Sequence, residues 1–330
     1  MNRRRKLIIA LGAVALAAPF GSIAQQTGKV WRIGFLSGSS DQSALIELRD
    51  AFKAGMRELG YTEGKHYVIE QRGGAQDDLP RLPALAAELI ALKVDVIIPG
   101  GTPSAVAARR ATREIPILIV TVGDPVGSGL AASLRHPGGN VTGLTGLTTE
   151  LSTKRLNLLR QILPSMRRAG FLYNPDNTND ALSLGQIESD CAKLHLQSVR
   201  APVRDAREIA PAFVALKRDN VQGLIVSQAD TNLVWRRSIV EQAAKHLLPA
   251  VYGRSRYVEA GGLISYATND IDLYRRAAAY ADKIFKGAKP GDLPIEQPLT
   301  FESVINLKTA KALGIKIPDV VMLRADRVIE

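Results

Sequence analysis

The residues best placed for chemistry in this chain are small donors at points where strand-like runs give way to helical ones. Ser37 and Gly38 close the run VWRIGFLSG, and Gly101, Thr102 and Ser104 follow VDVIIP. Unpaired N–H groups at a helix start attract anions such as a carboxylate, and hydroxyls add further donors. The same Ser37, Thr102 and Ser104 could instead do no more than cap their own helices. Asp124, in VGDPVG, could receive an ammonium group or simply shape the turn before Pro125. Later strand ends carry Thr145 in NVTGLTG, Asn174 in FLYNPDNTND, and Ser227, Gln228 and Asp230 in IVSQADTN. Tyr252 in AVYGR and Tyr266 in LISYATN could stack on a ligand while offering a hydroxyl, or serve as plain wall residues.

Other chemistries lack their motifs. A phosphate loop needs G-x-x-x-x-G-K-[ST], and GGTPSAVA has no lysine after its glycines. A dinucleotide fingerprint would follow the first strand, and FLSGSSDQS does not supply it. His66, His136, His195 and His246 each stand alone in their segments, without the pairing a metal site needs. There is no G-x-S-x-G elbow, and no histidine is placed by sequence to activate Ser37 or Ser104. We therefore expect no cofactor, no metal and no catalytic residues. The single cysteine, Cys191, cannot form an internal disulfide; with Ile187 and Leu194 at helical spacing it reads as a core residue.

These loops need a scaffold, and the hydrophobic pattern supplies an α/β one. Continuous apolar runs such as VDVIIP and IPILIV alternate with amphipathic segments such as LIELRDAFKAGMRELG, whose Ile46, Leu48, Phe52, Met56 and Leu59 form one broad apolar side. That alternation points to a parallel sheet covered on both faces. The pattern then starts again. RIGFL at 32–36 is echoed by RAGFL at 168–172, VDVIIPGG at 94–101 by VQGLIVSQ at 221–228, IPILIV at 115–120 by LLPAVY at 247–252, and NVTGLTG at 140–146 by GLISYAT at 262–268. Four matches in the same order predict two similar lobes. Ligands bind beyond the carboxyl ends of strands in such sheets, so facing lobes would form a cleft.

The first residues bear on location. Arg3, Arg4, Arg5 and Lys6 precede an apolar run from Leu7 to Ala18, and Ser22-Ile23-Ala24 offers the small residues a signal peptidase reads. Residues 1–24 are expected to be a signal peptide cleaved near Ala24, placing the mature chain in the periplasm. The run is shorter than the roughly 20 apolar residues a spanning helix needs. The four leader cations lower the formal charge of the 330-residue chain from +11 to +7 when removed, and the other basic residues are scattered. Nucleic acid is not an expected partner, whereas a basic surface could steer an acidic ligand.

Longer segments carry a resemblance. IGFLSG, AFKAGMRELGYTEGKHYVIEQR, VDVIIPGGTPSAVAARRAT, IPILIVTVGDPVGSGLAASLRHPGGNVTGLT, VEAGGLISYATN and the closing RADRVIE together resemble the ABC-transporter substrate-binding family, close to binding proteins for aromatic amino acids. The resemblance spans essentially the whole mature chain. It implies a type I periplasmic binding protein: two Rossmann-like lobes, three crossings, and a solute held between them for a membrane permease.

It also implies lobes formed by 28–143 plus 268–292 and by 144–267 plus 293–330, with the helix near 270–286 returning to the first lobe. Ile271, Tyr274, Ala278, Ala281 and Phe285 would make its apolar stripe. A sensory subunit, or an enzyme on the same fold, would be the alternatives. The expected ligand is a small carboxylate-bearing solute, in the first place an amino acid of aromatic or branched type, bound to a monomer. Relatives commonly carry a serine-proline-aspartate sequence where this chain has Ser227-Gln228-Ala229-Asp230, and a glycine-proline near Ala267-Thr268. The stretch 228–236 is therefore where ligand choice would differ.

Overall fold

Two arrays of apolar strands, the first parallel and the second mixed, organise the chain. The structure, a computed structural model, describes residues 29–73, 79–229 and 233–330. The expected signal sequence and Asp230 lie outside these residues. In the first sheet, β1 (Trp31–Ser37), β2 (Tyr67–Gly73), β3 (Val96–Gly100), β4 (Ile117–Val122) and β5 (Val141–Thr145) run in the order β2-β1-β3-β4-β5, all parallel. The second contains β6 (Arg168–Tyr173), β7 (Gln197–Pro202), β8 (Gly223–Val226), β9 (Ala250–Tyr252), β10 (Ile264–Thr268), β11 (Phe301–Asn306) and β12 (Arg327–Ile329), in the order β12-β11-β10-β9-β8-β6-β7. Without β11 and β12, the two orders are equivalent position by position. The four sequence echoes fall on the equivalent pairs β1/β6, β3/β8, β4/β9 and β5/β10.

The helices are α1 (Gln42–Glu58), α2 (Leu82–Ala91), α3 (Thr102–Ala111), α4 (Thr148–Ile162), α5 (Thr178–Lys193), α6 (Ile209–Arg218), α7 (Arg236–Lys245), α8 (Ser255–Glu259), α9 (Asp270–Phe285), α10 (Leu307–Ala312) and α11 (Asp319–Met322). Side chains alternate across each strand, so a strand covered on both faces must be apolar throughout. Val96 and Ile98 of β3 face α1 and α9, while Ile97 between them faces α2 and α3. The second sheet is likewise enclosed, with Leu156 of α4 and Cys191 of α5 on one face and Phe213 of α6 and Tyr257 of α8 on the other. Burial, then the charges of Asp190 and Glu188, push the Cys191 thiol up to about 11. That is the setting of a packing residue rather than a reactive one.

The chain passes between the sheets more than once. β5 leads into α4 of the second lobe, and β10 leads back into α9, which packs on α1. Gly55 makes that contact possible, since a Cβ there would lie 2.1 Å from the Arg275 carbonyl oxygen. Leu273, Tyr274, Ala277, Ala278, Ala281, Ile284 and Phe285 form the buried stripe of α9, each large apolar member worth about 1.5–3 kcal/mol. Ile271 is 40% exposed and lies outside the stripe. In α1, Phe52 and Met56 are buried, but Ile46 and the C-cap residue Leu59 are exposed at 46% and 44%, so the buried face is narrower than the sequence pattern suggests. After α9 the chain still follows the first sheet: the Glu296 N–H donates to the Gly143 carbonyl at 2.9 Å, and the Thr145 N–H donates to the Glu296 carbonyl at 2.9 Å. It then crosses to form β11. Because β11 enters from the other lobe without a crossover helix, it runs antiparallel to β10, a departure from an all-parallel sheet.

Candidate functional site

The strand ends of the two sheets meet across a narrow cleft that is partly open to solvent. The first lobe contributes the β1 end at Gly38 and Ser39, the start of α3 from Gly101 to Ser104, and Thr121. The second contributes Thr148, Asn177, Asn179, Gln228, Ala229 and Arg254. Gly101 has φ of +83°, which favours glycine, and lets β3 turn sharply so that α3 begins at the cleft. No side chain caps α3, and Pro103 has no N–H, so the Thr102 and Ser104 amides are the donors of its first turn. Ser104 is 1% exposed and the Thr102 hydroxyl accepts from the Gly123 amide at 3.4 Å.

The second wall is held from behind by buried polar groups. Asp180, in the first turn of α5, accepts from the Asn174 amide at 2.8 Å and from the Ser227 hydroxyl at 2.9 Å, tying the ends of β6 and β8 together. Arg254 lines the cleft, is ion-paired with Asp270, and donates through Nε to the Gln228 carbonyl at 3.4 Å. Behind Gln228 lies Arg155, 0% exposed, with Nη2 at 2.6 Å from Gln228 Oε1 and Nε at 2.8 Å from the Tyr266 carbonyl. Burial, then the Arg254 charge, push the Arg155 pKa down to about 9, with Asp180 and Tyr266 offsetting in part. The guanidinium therefore keeps its proton at neutral pH.

Of the residues singled out from sequence, Gly38, Gly101, Thr102 and Ser104 line the cleft. Ser37 lies just beneath, where its hydroxyl oxygen accepts from the Ser39 amide at 3.1 Å. Asp124 is engaged in its own turn, accepting from the Val126 and Gly127 amides at 3.1 and 2.8 Å. Thr145 donates to the Val122 carbonyl at 2.9 Å beside the crossing. Asn174 and Ser227 support the second wall through Asp180. Tyr252 is 1% exposed in the second-lobe core, stacked on Tyr257, and burial pushes both phenols up. Tyr266 lines a separate groove with Lys154, Arg160 and Arg324. Among the described residues, no group of three His, Cys, Asp or Glu could hold a metal ion.

Several residues of the site or of its support lie outside those singled out from sequence. Thr148 and Asn177 obey the same rule that picks out Gly101, namely a polar residue between a strand and a helix. Arg155 had a different signal. It falls within the stripe of Leu151, Leu156, Leu159 and Ile162 that α4 buries, where a charged residue demands an explanation.

The lobes touch on either side of the cleft. Arg236 of α7 pairs with Asp41 at 2.8 Å, and Arg256 of α8 pairs with Glu47. Gly123 abuts Asn179, so close that a Cβ on it would lie 2.0 Å from Asn179 Oδ1.

Comparison with known proteins agrees with this geometry. A sequence model of the family described as ABC transporter substrate binding protein matches residues 36–329. A tyrosine-binding protein of Clostridioides difficile is 28% identical over 277 residues, covering 84% of this chain and 79% of the relative. A solved ABC domain in complex with L-Trp from Streptococcus pneumoniae is 27% identical, with a TM-score of 0.84 over 91% of this chain and 100% of that one. A ligand-free, open substrate-binding protein from Clostridium difficile is 26% identical, with a TM-score of 0.66 over 91% of this chain and 99% of that one. At nearly equal identity, the tryptophan complex superposes better than the open form. This matches lobes already in contact.

Proposed function

The chain belongs to the ABC transporter substrate-binding protein family, and from that premise we propose that its solute is an amino acid, with an aromatic one favoured. It is an extracytoplasmic solute receptor of an ABC importer, not a catalyst, and it serves a cognate membrane permease. Ligand contacting both lobes would favour the closed arrangement. The observation that carries the amino-acid reading is the pair of relatives described as tyrosine-binding and as an L-Trp complex, each aligned over more than four fifths of this chain.

The cleft chemistry supports it. The uncapped start of α3 offers amide donors and the Thr102 and Ser104 hydroxyls to a carboxylate. Arg254, in the opposite wall, is the charged residue among the described lining residues. We place the ligand's ammonium group at Asp230, which follows the β8 end, with Asp124 as the alternative. The expected packing of Tyr252 and Tyr266 on the apolar part of the ligand is not part of this reading, because Tyr252 is buried in the second-lobe core and Tyr266 lines a separate groove. We also propose lobes near 28–143 with 268–292 and 144–267 with 293–330, with the last limit moved by the bonds that Glu296 makes to β5. The third crossing would come a few residues later, after Glu296 leaves β5. The receptor would act as a monomer.

Mass spectrometry of solute released from gently purified protein tests the reading. It should be followed by calorimetry with L-tyrosine and L-tryptophan on the wild type, Thr102→Ala and Asp230→Ala. Each lost charge-assisted contact should cost about 1–3 kcal/mol, or about 5- to 150-fold in affinity. Release of a neutral sugar would overturn the amino-acid assignment and leave the receptor assignment standing.

A further inference from the structure

Arg155 is a cation fully enclosed by protein, and among the described residues it forms no ion pair. Its Nη1 is buried without a hydrogen-bond partner. Burying a charge in this way is costly, so a charge kept there calls for a use. Its two hydrogen bonds suggest one. Nη2 meets Gln228 Oε1 at 2.6 Å, and Nε meets the Tyr266 carbonyl at 2.8 Å.

A guanidinium can only donate. The Gln228 atom facing it must therefore be the carboxamide oxygen, and the two amide positions are not interchangeable here. The amide nitrogen is left on the other side. One of its N–H groups reaches the Thr268 hydroxyl at 3.3 Å, and that hydroxyl donates onward to Asp270 at 2.9 Å. The second N–H has no partner among the described residues, and Gln228 is part of the cleft lining. We propose that Arg155 is a positioning residue of the binding site, fixing the Gln228 carboxamide so that it presents the ligand with a donor and never an acceptor.

The consequence concerns ligand class. The α3 start offers donors from the first lobe, and an oriented Gln228 offers one from the second. A ligand bridging the lobes must then present acceptors to both walls. This part rests on the carboxylate-bearing solute proposed above, and one carboxylate with its two oxygens would satisfy it. Arg155 on α4, Tyr266 in β10 and Gln228 just past the end of β8 all belong to the second lobe. The orientation is thus set before the lobes close, so the donor is ready when ligand arrives.

The test has a ligand-free arm and a binding arm. In ¹⁵N–¹H spectra of ligand-free protein, the Gln228 carboxamide signals, identified by their loss in Gln228→Ala, should shift in both Arg155→Lys and Arg155→Met. Their hydrogen exchange should also quicken at least tenfold in Arg155→Met. Signals that stay in place in both variants overturn the proposal, whatever the protein binds. In the binding arm, Gln228→Glu removes the donor and gives Arg155 a carboxylate partner. It should keep or raise the Tm while weakening L-tyrosine or L-tryptophan binding at least tenfold, and Arg155→Lys should lose less affinity than Arg155→Met. Binding by Gln228→Glu within twofold of wild type overturns the donor role. If neither amino acid binds the wild type, the amino-acid reading falls, and the spectra alone decide the role of Arg155.

Discussion

Arg236 Nη1 stands 2.8 Å from Asp41 Oδ2, joining the first turn of α7 in one lobe to the residue that caps α1 in the other. The pair is well sheltered, with side-chain exposures of 24% and 7%. It exists only while the lobes are together, so it acts on closure. Arg236→Met spares the helix cap and should weaken ligand binding by about 2- to 10-fold, about 0.4–1.4 kcal/mol, reaching past the ~0–1 kcal/mol of a fully exposed pair. Added salt should reduce wild-type affinity more steeply than that of the variant, as calorimetry across a salt series would record.

Gly123 should be a second control of closure. Its missing Cβ would lie 2.0 Å from Asn179 Oδ1 in the opposite lobe. Gly123→Ala should hold the lobes apart, lower affinity by about tenfold or more, roughly 1.4 kcal/mol, and leave a larger radius of gyration in scattering with ligand present. Gly123→Ala with Asn179→Ala should recover much of the loss, because the obstacle is that side chain.

Gly55 controls a contact within the first lobe. A Cβ there would meet the Arg275 carbonyl oxygen at 2.1 Å and the Ala278 Cβ at 2.8 Å. Backbone cannot step aside as a flexible side chain can. Gly55→Ala should cost about 1–3 kcal/mol of stability through forced separation of α1 and α9. A lower urea midpoint would record it.

Acid should unfold the protein through particular carboxylates. For Asp41 and Asp190, burial opposes the charge, but hydrogen bonds and nearby cations together outweigh it. Asp41 is held by Ser43, Ala44, Arg236 and Arg256, and Asp190 by Gln186, Thr153 and Lys193. Both titrate below the ordinary 3.8. A depressed pKa contributes stability above the unfolded value, and the contribution is lost as pH falls through the folded one. Urea midpoints should therefore change little through this cause above about pH 5 and fall below about pH 4. In Asp190→Asn that fall should be shallower.

Export should leave a defined start. If residues 1–24 form the expected leader, intact-mass measurement of secreted protein should place the mature N-terminus at Gln25. A mass that retains the leader would point to an anchored form instead.

Much of the architecture was legible because it is written in short-range periodicity. Val96-Ile97-Ile98 must be covered on both faces wherever it lies, and the repeated order of RIGFL, VDVIIPGG, IPILIV and NVTGLTG required two matching lobes. The positions of Gly101, Thr102 and Ser104 at a strand-to-helix switch also followed locally, since φ of +83° and a helix start depend on adjacent residues.

What only the tertiary structure decided depends on residues far apart in the chain. Arg155 and Gln228 are separated by 73 positions, and Arg236 and Asp41 by 195. Tyr252 ends a strand much as a ligand contact would, but Tyr257, five residues on, stacks against it at 4.8 Å within the core. Periodicity tells which face of an element is apolar. It does not tell which partner meets that face, and a buried arginine or a cross-cleft ion pair is defined by its partner.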